Sequence, residues 1–314
     1  MIQEDKIIKA LQATSADGFI GDDAAVLPNV DGSNRYVISK DLLIEDVHFR
    51  TKYFTPEDLA HKSLHVNLSD IAAMGAEPLY ILCGISIPSH LQDYAHRFLN
   101  SLTTMCQYVG VTLIGGDTTA SKDRLFISIT AIGKAPESNI KYRNGAKASE
   151  LICIIGNLGF AHLGFLGLEQ SIPTDTKYIN SFLRPEAKIK EGIWLGKQFA
   201  VTSMMDISDG LYIDLKRLTS SSKKHAVLDI DLLQSHLNPD VSVQVALEGG
   251  EDYGLLVTVH KDSFEELSHR FVENFSYNLK VVGHITDGDG LSLKQNGKPV
   301  EITINHFAHF GERL

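Results

Sequence analysis

Short β-branched and aliphatic runs alternate along the chain with amphipathic stretches, a pattern that favours an α/β or α+β arrangement over a helical bundle or a β-sandwich. The apolar runs predict strands over residues 35–41, 79–87, 111–115, 125–133, 151–156, 226–230, 253–259 and 279–285. Three-and-four spacing of apolar positions predicts helices over 57–74, 91–109, 184–199, 210–221 and 263–274. No solenoid-length repeat, low-complexity tract or coiled-coil heptad is visible.

The helix starting at Glu57 carries the clearest local signals. Thr55 stands at the N-cap, Pro56 at the first helical position, Glu57 and Asp58 in the first turn, and Gly75 can end it. Leu59, Ser63, Val66, Asp70 and Ala73 share one face, which sets Asp70 among small and apolar residues where a carboxylate needs a partner. Between two strongly apolar strands, residues 134–150 are polar and rich in turn formers. The chain is therefore expected to divide into residues 1–140 and residues 141–314, the latter a second α/β domain.

With 314 residues, 43% of them hydrophobic, the chain is long enough for two cores, since single cores rarely grow past roughly 250 to 300 residues. Thirty-nine acidic residues against 29 Lys and Arg give a net charge of -10, which argues against a nucleic-acid surface. No run of about 18 apolar residues appears, and the polar opening lacks a basic start followed by an apolar stretch. A soluble, cytoplasmic protein without a membrane partner is expected. Cys83, Cys106 and Cys153 are odd in number and sit in apolar segments, so they read as core residues.

The chemistry is suggested by aspartates at strand ends and Gly-containing turns, namely Gly21-Asp22-Asp23, Ser39-Lys40-Asp41, Asn67-Leu68-Ser69-Asp70, Gly115-Gly116-Asp117-Thr118-Thr119 and Asp206-Ile207-Ser208-Asp209-Gly210. Hard carboxylate oxygens are what Mg²⁺ prefers, and Mg²⁺ commonly completes its shell with water and substrate phosphates. Each motif alone has a plainer reading. Gly-Asp-Asp is a common turn, Ser39–Asp41 fits a loop or cap, Gly115–Thr119 fits either a phosphate cradle or a hairpin turn, and Asp206–Gly210 fits an N-cap cluster. Gly249-Gly250-Glu251-Asp252-Tyr253 is explained almost as well by turn chemistry. Asp287-Gly288-Asp289-Gly290 fails the calcium-loop pattern and reads as a hairpin turn. His61 and His65 share a helical face with no third ligand in view, which suggests a surface or interface role. There is no Walker loop and no Gly-x-Ser-x-Gly.

Taken in order, these motifs, with His48-Phe49 and the run Asn67 to Ala76, resemble the thiamine-monophosphate kinases, a family within the aminoimidazole ribonucleotide synthetase-like superfamily. The resemblance spans residues 21 to about 310. It implies a two-domain fold of mixed sheets packed with helices, a homodimer, and ATP-dependent phosphorylation of thiamine monophosphate to thiamine diphosphate with several Mg²⁺ ions. By motif position, the metal ligands would be Asp23, Ser39, Lys40, Asp41, Asp70, Asp117, Asp206 and Asp209, with Asp41 and Asp209 central to catalysis. Nucleotide contacts would fall on Tyr108, Gly116, Asp117, Arg143 and Ser208, and the thiamine phosphate would meet His48, Glu251 and Phe307.

Lys40 departs from the family, which usually has Thr there. A backbone carbonyl contribution survives that change, whereas a hydroxyl ligand would be lost and a cation set near the metals. The rivals are a purine-pathway synthetase of the same superfamily and a catalytically silent Mg²⁺-nucleotide sensor. The other superfamily members fit less well, since selenophosphate synthetase and the hydrogenase-maturation member are expected to carry cysteines near one terminus or the other.

Overall fold

The computed structural model describes Gln12 and residues 19–28 and 32–305. The first part of the chain contributes β1 (Ala25–Val26), β2 (Asn34–Ile44), α1 (Pro56–Ala73), β3 (Glu77–Pro88), α2 (Gln92–Val109), β4 (Thr112–Ser121) and β5 (Phe126–Pro136). Next come β6 (Leu151–Ile155), α3 (Phe160–Gln170), α4 (Thr176–Leu183), α5 (Ile189–Gly196), β7 (Val201–Ile207), α6 (Leu211–Ser222), β8 (His225–Asp229) and α7 (Ile230–His236). The remainder is α8 (Val243–Glu248), β9 (Gly254–Val259), α9 (Phe264–Phe275), β10 (Lys280–Thr286), β11 (Gly290–Gln295) and β12 (Lys298–Val300).

Two mixed sheets result. The first has the order β1-β2-β5-β3-β4, antiparallel except for the parallel β3–β4 pair. The second has the order β12-β11-β8-β10-β6-β9-β7, and its one parallel pair is β8–β11. Because β8 lies between β10 and β11, residues Asp287–Asp289 carry the chain across a strand and do not form the expected hairpin turn.

Along β2 the pleat alternates faces. Val37, Ser39 and Leu43 are buried, while Tyr36, Lys40 and Leu42 point out. Tyr36, Leu42, Tyr80 and Phe126 are exposed on the first sheet, which therefore presents an apolar open face.

The helix α1 begins as its sequence predicts, with a reciprocal cap between Thr55 and Asp58. It is buried on almost every side, because it packs on β2 and β5 and also against α5 and β7 of the second half. That enclosure places His61, Lys62, His65 and Ser69 inside the protein, so the two histidines are not surface groups.

Elsewhere the strands run close to the predicted positions. The helix expected over 184–199 is shorter, covering Ile189–Gly196. β4 continues through Gly115–Thr119 to Ser121. These residues are neither a turn nor a loop at a strand end, and they stand exposed on an edge strand. Gly116 is needed there because a Cβ would lie 1.9 Å from the carbonyl oxygen of Cys83 on β3. All three cysteines are buried and unpaired. Among the described residues, no helix is long and apolar enough to cross a membrane.

Candidate active site

Five of the aspartates meet where α1 and β2 face β7 and the loop after it. Asp23, Asp70 and Asp206 bring carboxylate oxygens within 4.8 Å of one another. Asp41 acts electrostatically on Asp70, and Asp209 on Asp41, which extends the cluster on both sides. Burial is the main cause that pushes Asp70 and Asp206 well above the usual carboxylate range, and their neighbours' negative charges add to it. Asp41 is raised to about 6 by burial and then by Asp209. Groups that hold protons this tightly are short of positive charge.

Protein atoms supply part of that charge and fix the carboxylates. Arg143 Nε and Nη2 donate to Asp23 at 3.1 and 2.9 Å, a two-point pair. The Arg143 amide donates to Asp22 at 2.6 Å. Ser69 Oγ donates to Asp206 Oδ2 at 2.8 Å. Asn67 holds β2 in place by accepting the Asp41 amide on its side-chain oxygen at 3.1 Å, and its own amide donates to the Ser63 carbonyl at 2.9 Å. Ser39 Oγ lies 3.4 Å from the Asn67 carbonyl, so it stands beside the cluster.

Asp214 is the residue that the motifs did not reveal. Fully buried in the first turn of α6, it accepts the amides of Ser208 and Asp209, both at 3.0 Å, and so shapes the loop that carries them. Burial and then Asp209 raise it to about 7. Its only sequence signal is an acid five positions after Asp209 at a helix start. Arg217 pairs with both Asp209 and Asp214. Tyr253 was noted only as the end of a motif, yet Glu251, Asp41, Asp206 and Asp209 all act on its phenol, after burial as the main cause of its raised pKa.

Glu251 approaches from the other side. Its amide donates to the Ser208 carbonyl at 2.7 Å, and its carboxylate accepts from Lys62 Nζ at 3.0 Å. Asp252 turns away and accepts the amides of Gly159 and Ala161 at the start of α3. His48 Nδ1 accepts the Ile44 amide at 3.0 Å at the end of β2.

Gly116, Asp117 and the Lys40 side chain are not brought to this cluster within one chain, whereas the Lys40 backbone lies between Ser39 and Asp41 on β2. Lys40 alternates to the opposite face of β2 and donates to Ser128 on β5, so its ammonium does not enter the site. Gly116 and Asp117 lie on β4, three strand spacings from β2 in the order β2-β5-β3-β4, or about 14 Å away. A metal ion bound by Asp41 is therefore not shared with Asp117 of the same chain. Tyr108 is 86% exposed near the end of α2. Phe307 lies outside the described residues.

The hard carboxylate oxygens of Asp23, Asp41, Asp70 and Asp206 fit Mg²⁺, with Asp209 at the more open side. They offer no soft or nitrogen donor.

Comparison with known proteins agrees with this chemistry. Residues 21–135 match the N-terminal domain, and residues 149–296 the C-terminal domain, of the AIR synthase related proteins. The thiamine-monophosphate kinase of Buchnera aphidicola subsp. Schizaphis graminum is 34% identical over 93% of this chain and 92% of its own length. The chain belongs to the thiamine-monophosphate kinase family. The Escherichia coli K12 kinase is 33% identical over 93% of this chain and 91% of its own. A solved structure described as AaThiL complexed with AMPPCP and TMP matches with a TM-score of 0.82 and 27% identity, covering 98% of this chain and 97% of that one. Membership thus rests on both sequence and fold over nearly the whole chain.

Proposed function

We propose that this member of the thiamine-monophosphate kinases transfers the γ-phosphoryl group of ATP directly to the phosphate of thiamine monophosphate, giving ADP and thiamine diphosphate. The observation that carries the reading is the convergence of Asp23, Asp41, Asp70, Asp206 and Asp209 beside Arg143. Family membership and the relative solved with AMPPCP and TMP support the choice of substrates.

Bringing two phosphate groups together is an electrostatic problem, since two unit charges about 4 Å apart repel by roughly 4 kcal/mol at an effective dielectric near 20. Mg²⁺, when bound, neutralises phosphate charge and stabilises charge spread over the transferring group. The chain's own residues position it. Asp23, Asp70 and Asp206 form the deep side, Asp41 sits on β2, and Asp209 is presented by a loop that Asp214 pins. Arg143 holds Asp23 with two nitrogens and retains one more with which to engage a phosphate oxygen. The acceptor phosphate, with a second pKa near 6, is largely a dianion at neutral pH and needs no general base. That accounts for a site rich in carboxylates with no nucleophile and base pair.

Glu251, steadied by Lys62, is suited to the cationic thiazolium side of thiamine, with His48 as a second contact. The sensor reading, in which turnover is lost through Lys40, loses one of its two grounds, since the Lys40 ammonium points away from the carboxylates.

We also propose a homodimer built on the open face of the first sheet, where Tyr36, Leu42, Tyr80 and Phe126 form an apolar patch of the kind that marks interaction surfaces. Tyr108, Gly116 and Asp117 stand toward the β4 edge of that sheet, where nucleotide contacts would involve a second copy. Sedimentation of the parent and of Leu42→Lys/Tyr80→Lys tests this, and a parent that sediments as a monomer at assay concentration overturns it.

The activity is tested by incubating purified protein with ATP, Mg²⁺ and thiamine monophosphate and measuring thiamine diphosphate. Product is expected, and it should disappear with chelator and in Asp41→Asn. An inactive folded parent, or an active Asp41→Asn, overturns the reading.

A further inference from the structure

His61 and His65 lie one turn apart on α1, and folding brings Glu186, from the segment between α4 and α5, against both of them. His61 Nε2 is 3.1 Å from Glu186 Oε1, and His65 Nδ1 is 3.7 Å from Glu186 Oε2. The two imidazoles stack almost parallel, with centroids 4.2 Å apart and planes 12° from each other, so each presents one nitrogen to the same carboxylate. The three ligand atoms lie within 4.8 Å of one another. We propose that His61, His65 and Glu186 form a binding site for a borderline divalent transition ion, zinc foremost, which staples α1 to the second half of the chain and is separate from the phosphoryl-transfer site.

The donor set and the distances support this choice. Two imidazoles and one carboxylate match the ligands of three-residue zinc sites, whereas Mg²⁺ prefers oxygen alone. Zinc bonds of about 2.0–2.2 Å in a tetrahedron separate neighbouring ligand atoms by about 3.3–3.6 Å, and here one atom from each residue already lies within 4.8 Å of the others, with the histidine nitrogens 3.1 and 3.7 Å from the two Glu186 oxygens.

The protonation states also suit a metal. Burial, and then the neighbouring His61, hold the His65 imidazole well below its usual value, at about 4, so it is neutral at physiological pH. His61 presents Nε2 to Glu186, and with that nitrogen on an ion the ring proton would sit on Nδ1, which is buried with no hydrogen-bond partner among the described residues. His65 Nδ1 also accepts the Ala187 amide at 3.2 Å, and an ion bound there would replace that hydrogen bond. Both histidines are more than nine-tenths buried, while the Glu186 side chain is 65% exposed and provides the entry route. The sequence hid the site because its third ligand is 121 positions beyond His65.

The test uses full-length protein without a histidine tag, in excess Mg²⁺ to fill the carboxylate cluster, with Zn²⁺ binding followed by equilibrium dialysis and by the thermal midpoint. The parent should bind one Zn²⁺ per chain that raises its midpoint. Glu186→Gln, which changes an exposed carboxylate with little risk to folding, and His65→Gln should each weaken binding at least tenfold and abolish the rise. Kinase activity in Mg²⁺ alone should be unchanged in Glu186→Gln, which separates this site from the catalytic one. A parent that binds no Zn²⁺ under these conditions, or a Glu186→Gln protein that binds it as tightly as the parent, overturns the proposal.

Discussion

Ser69 Oγ on α1 donates a 2.8 Å hydrogen bond to Asp206 Oδ2 on β7, joining the helix of the first half to an edge strand of the second across 137 positions. The bond favours the ionised form of Asp206, in opposition to the burial that raises its pKa. Ser69→Ala removes the donor and leaves a buried oxygen unsatisfied, a cost of about 1–3 kcal/mol. The Asp206 carboxyl then holds its proton more firmly, and a metal must displace that proton. We expect the free Mg²⁺ needed for half-maximal activity to rise about tenfold, equivalent to about 1.4 kcal/mol. A Mg²⁺ titration of initial rates checks this, and an unchanged midpoint would show that the hydroxyl does not tune the site.

Stability should depend on pH in a way that Mg²⁺ reverses. Asp41 is raised to about 6, Asp214 and Asp252 to about 7, and Asp70 and Asp206 well above the usual carboxylate range, all chiefly by burial. The folded protein therefore binds these protons more tightly than the unfolded chain, where carboxylates titrate near 4. The stability they contribute is complete below about pH 4 and, for Asp41, Asp214 and Asp252, is lost as pH climbs through 6 and 7. His65, depressed to about 4, works in the opposite direction up to its unfolded value of about 6.5. Above about pH 6.5 that opposing slope fades. With chelator present, the thermal midpoint should fall between about pH 6.5 and 7.5, and the gain from added Mg²⁺ should widen over the same interval. A Mg²⁺ gain that is constant with pH would mean that the ion does not replace these protons.

The acid-bearing motifs were readable because each couples an aspartate to a local signal, such as the turn at Gly21 or the predicted strand end at Asp41, although β2 in fact runs on to Ile44. Their meeting point was less readable, since Asp23, Asp70 and Asp206 come together only when α1 is enclosed by both halves. Partners with ordinary local roles were harder to read: Asn67 was quoted only as the start of a motif, without its bond to the Asp41 amide, and Asp214 stood unremarked in a helical first turn. β7 escaped prediction because Thr202 and Ser203 interrupt its apolar run, yet both hydroxyls bond to Thr258 on β9, which makes the polar residues compatible with a buried strand. α3 escaped because Gly164 lowers helix propensity. That glycine is required, since a Cβ there would lie 2.1 Å from the Tyr178 carbonyl on α4. The family resemblance supplied the roles of Tyr108, Gly116 and Asp117, but the sheet order of a single chain keeps Gly116 and Asp117 away from the cluster.

Lys40 tests whether strand alternation or chain neighbourhood decides a residue's influence. It lies between Ser39 and Asp41, yet its side chain faces Ser128 on the open side of the sheet. Replacing it by Thr should leave the Mg²⁺ requirement within about twofold of the parent, because the side chain does not reach the carboxylates and its loss removes no buried partner from them. A large gain in turnover on Lys40→Thr would mean that a hydroxyl ligand is needed there.

Lys62 is the buried cation most tightly coupled to the proposed substrate side. It is 1% exposed, donates to the Phe182 carbonyl at 3.1 Å and to Glu251 at 3.0 Å, and lies 4.0 Å from the centre of the Phe182 ring. Burial lowers the ammonium's pKa, and Glu251 opposes that effect. Lys62→Met keeps the length and the apolar packing but leaves Glu251 without its cation. Glu251 is 30% exposed, so water recovers part of the loss, and the destabilisation should be about 1–2 kcal/mol, less than the 3–5 kcal/mol of a fully buried pair. The functional effect should be separable from that. If Glu251 meets the thiamine portion of the substrate, freeing its carboxylate raises KM for thiamine monophosphate several-fold while KM for ATP and kcat change little. Equal losses for both substrates would place Lys62 in the scaffold of the whole site, and an unchanged KM for thiamine monophosphate would remove Glu251 from the substrate contacts.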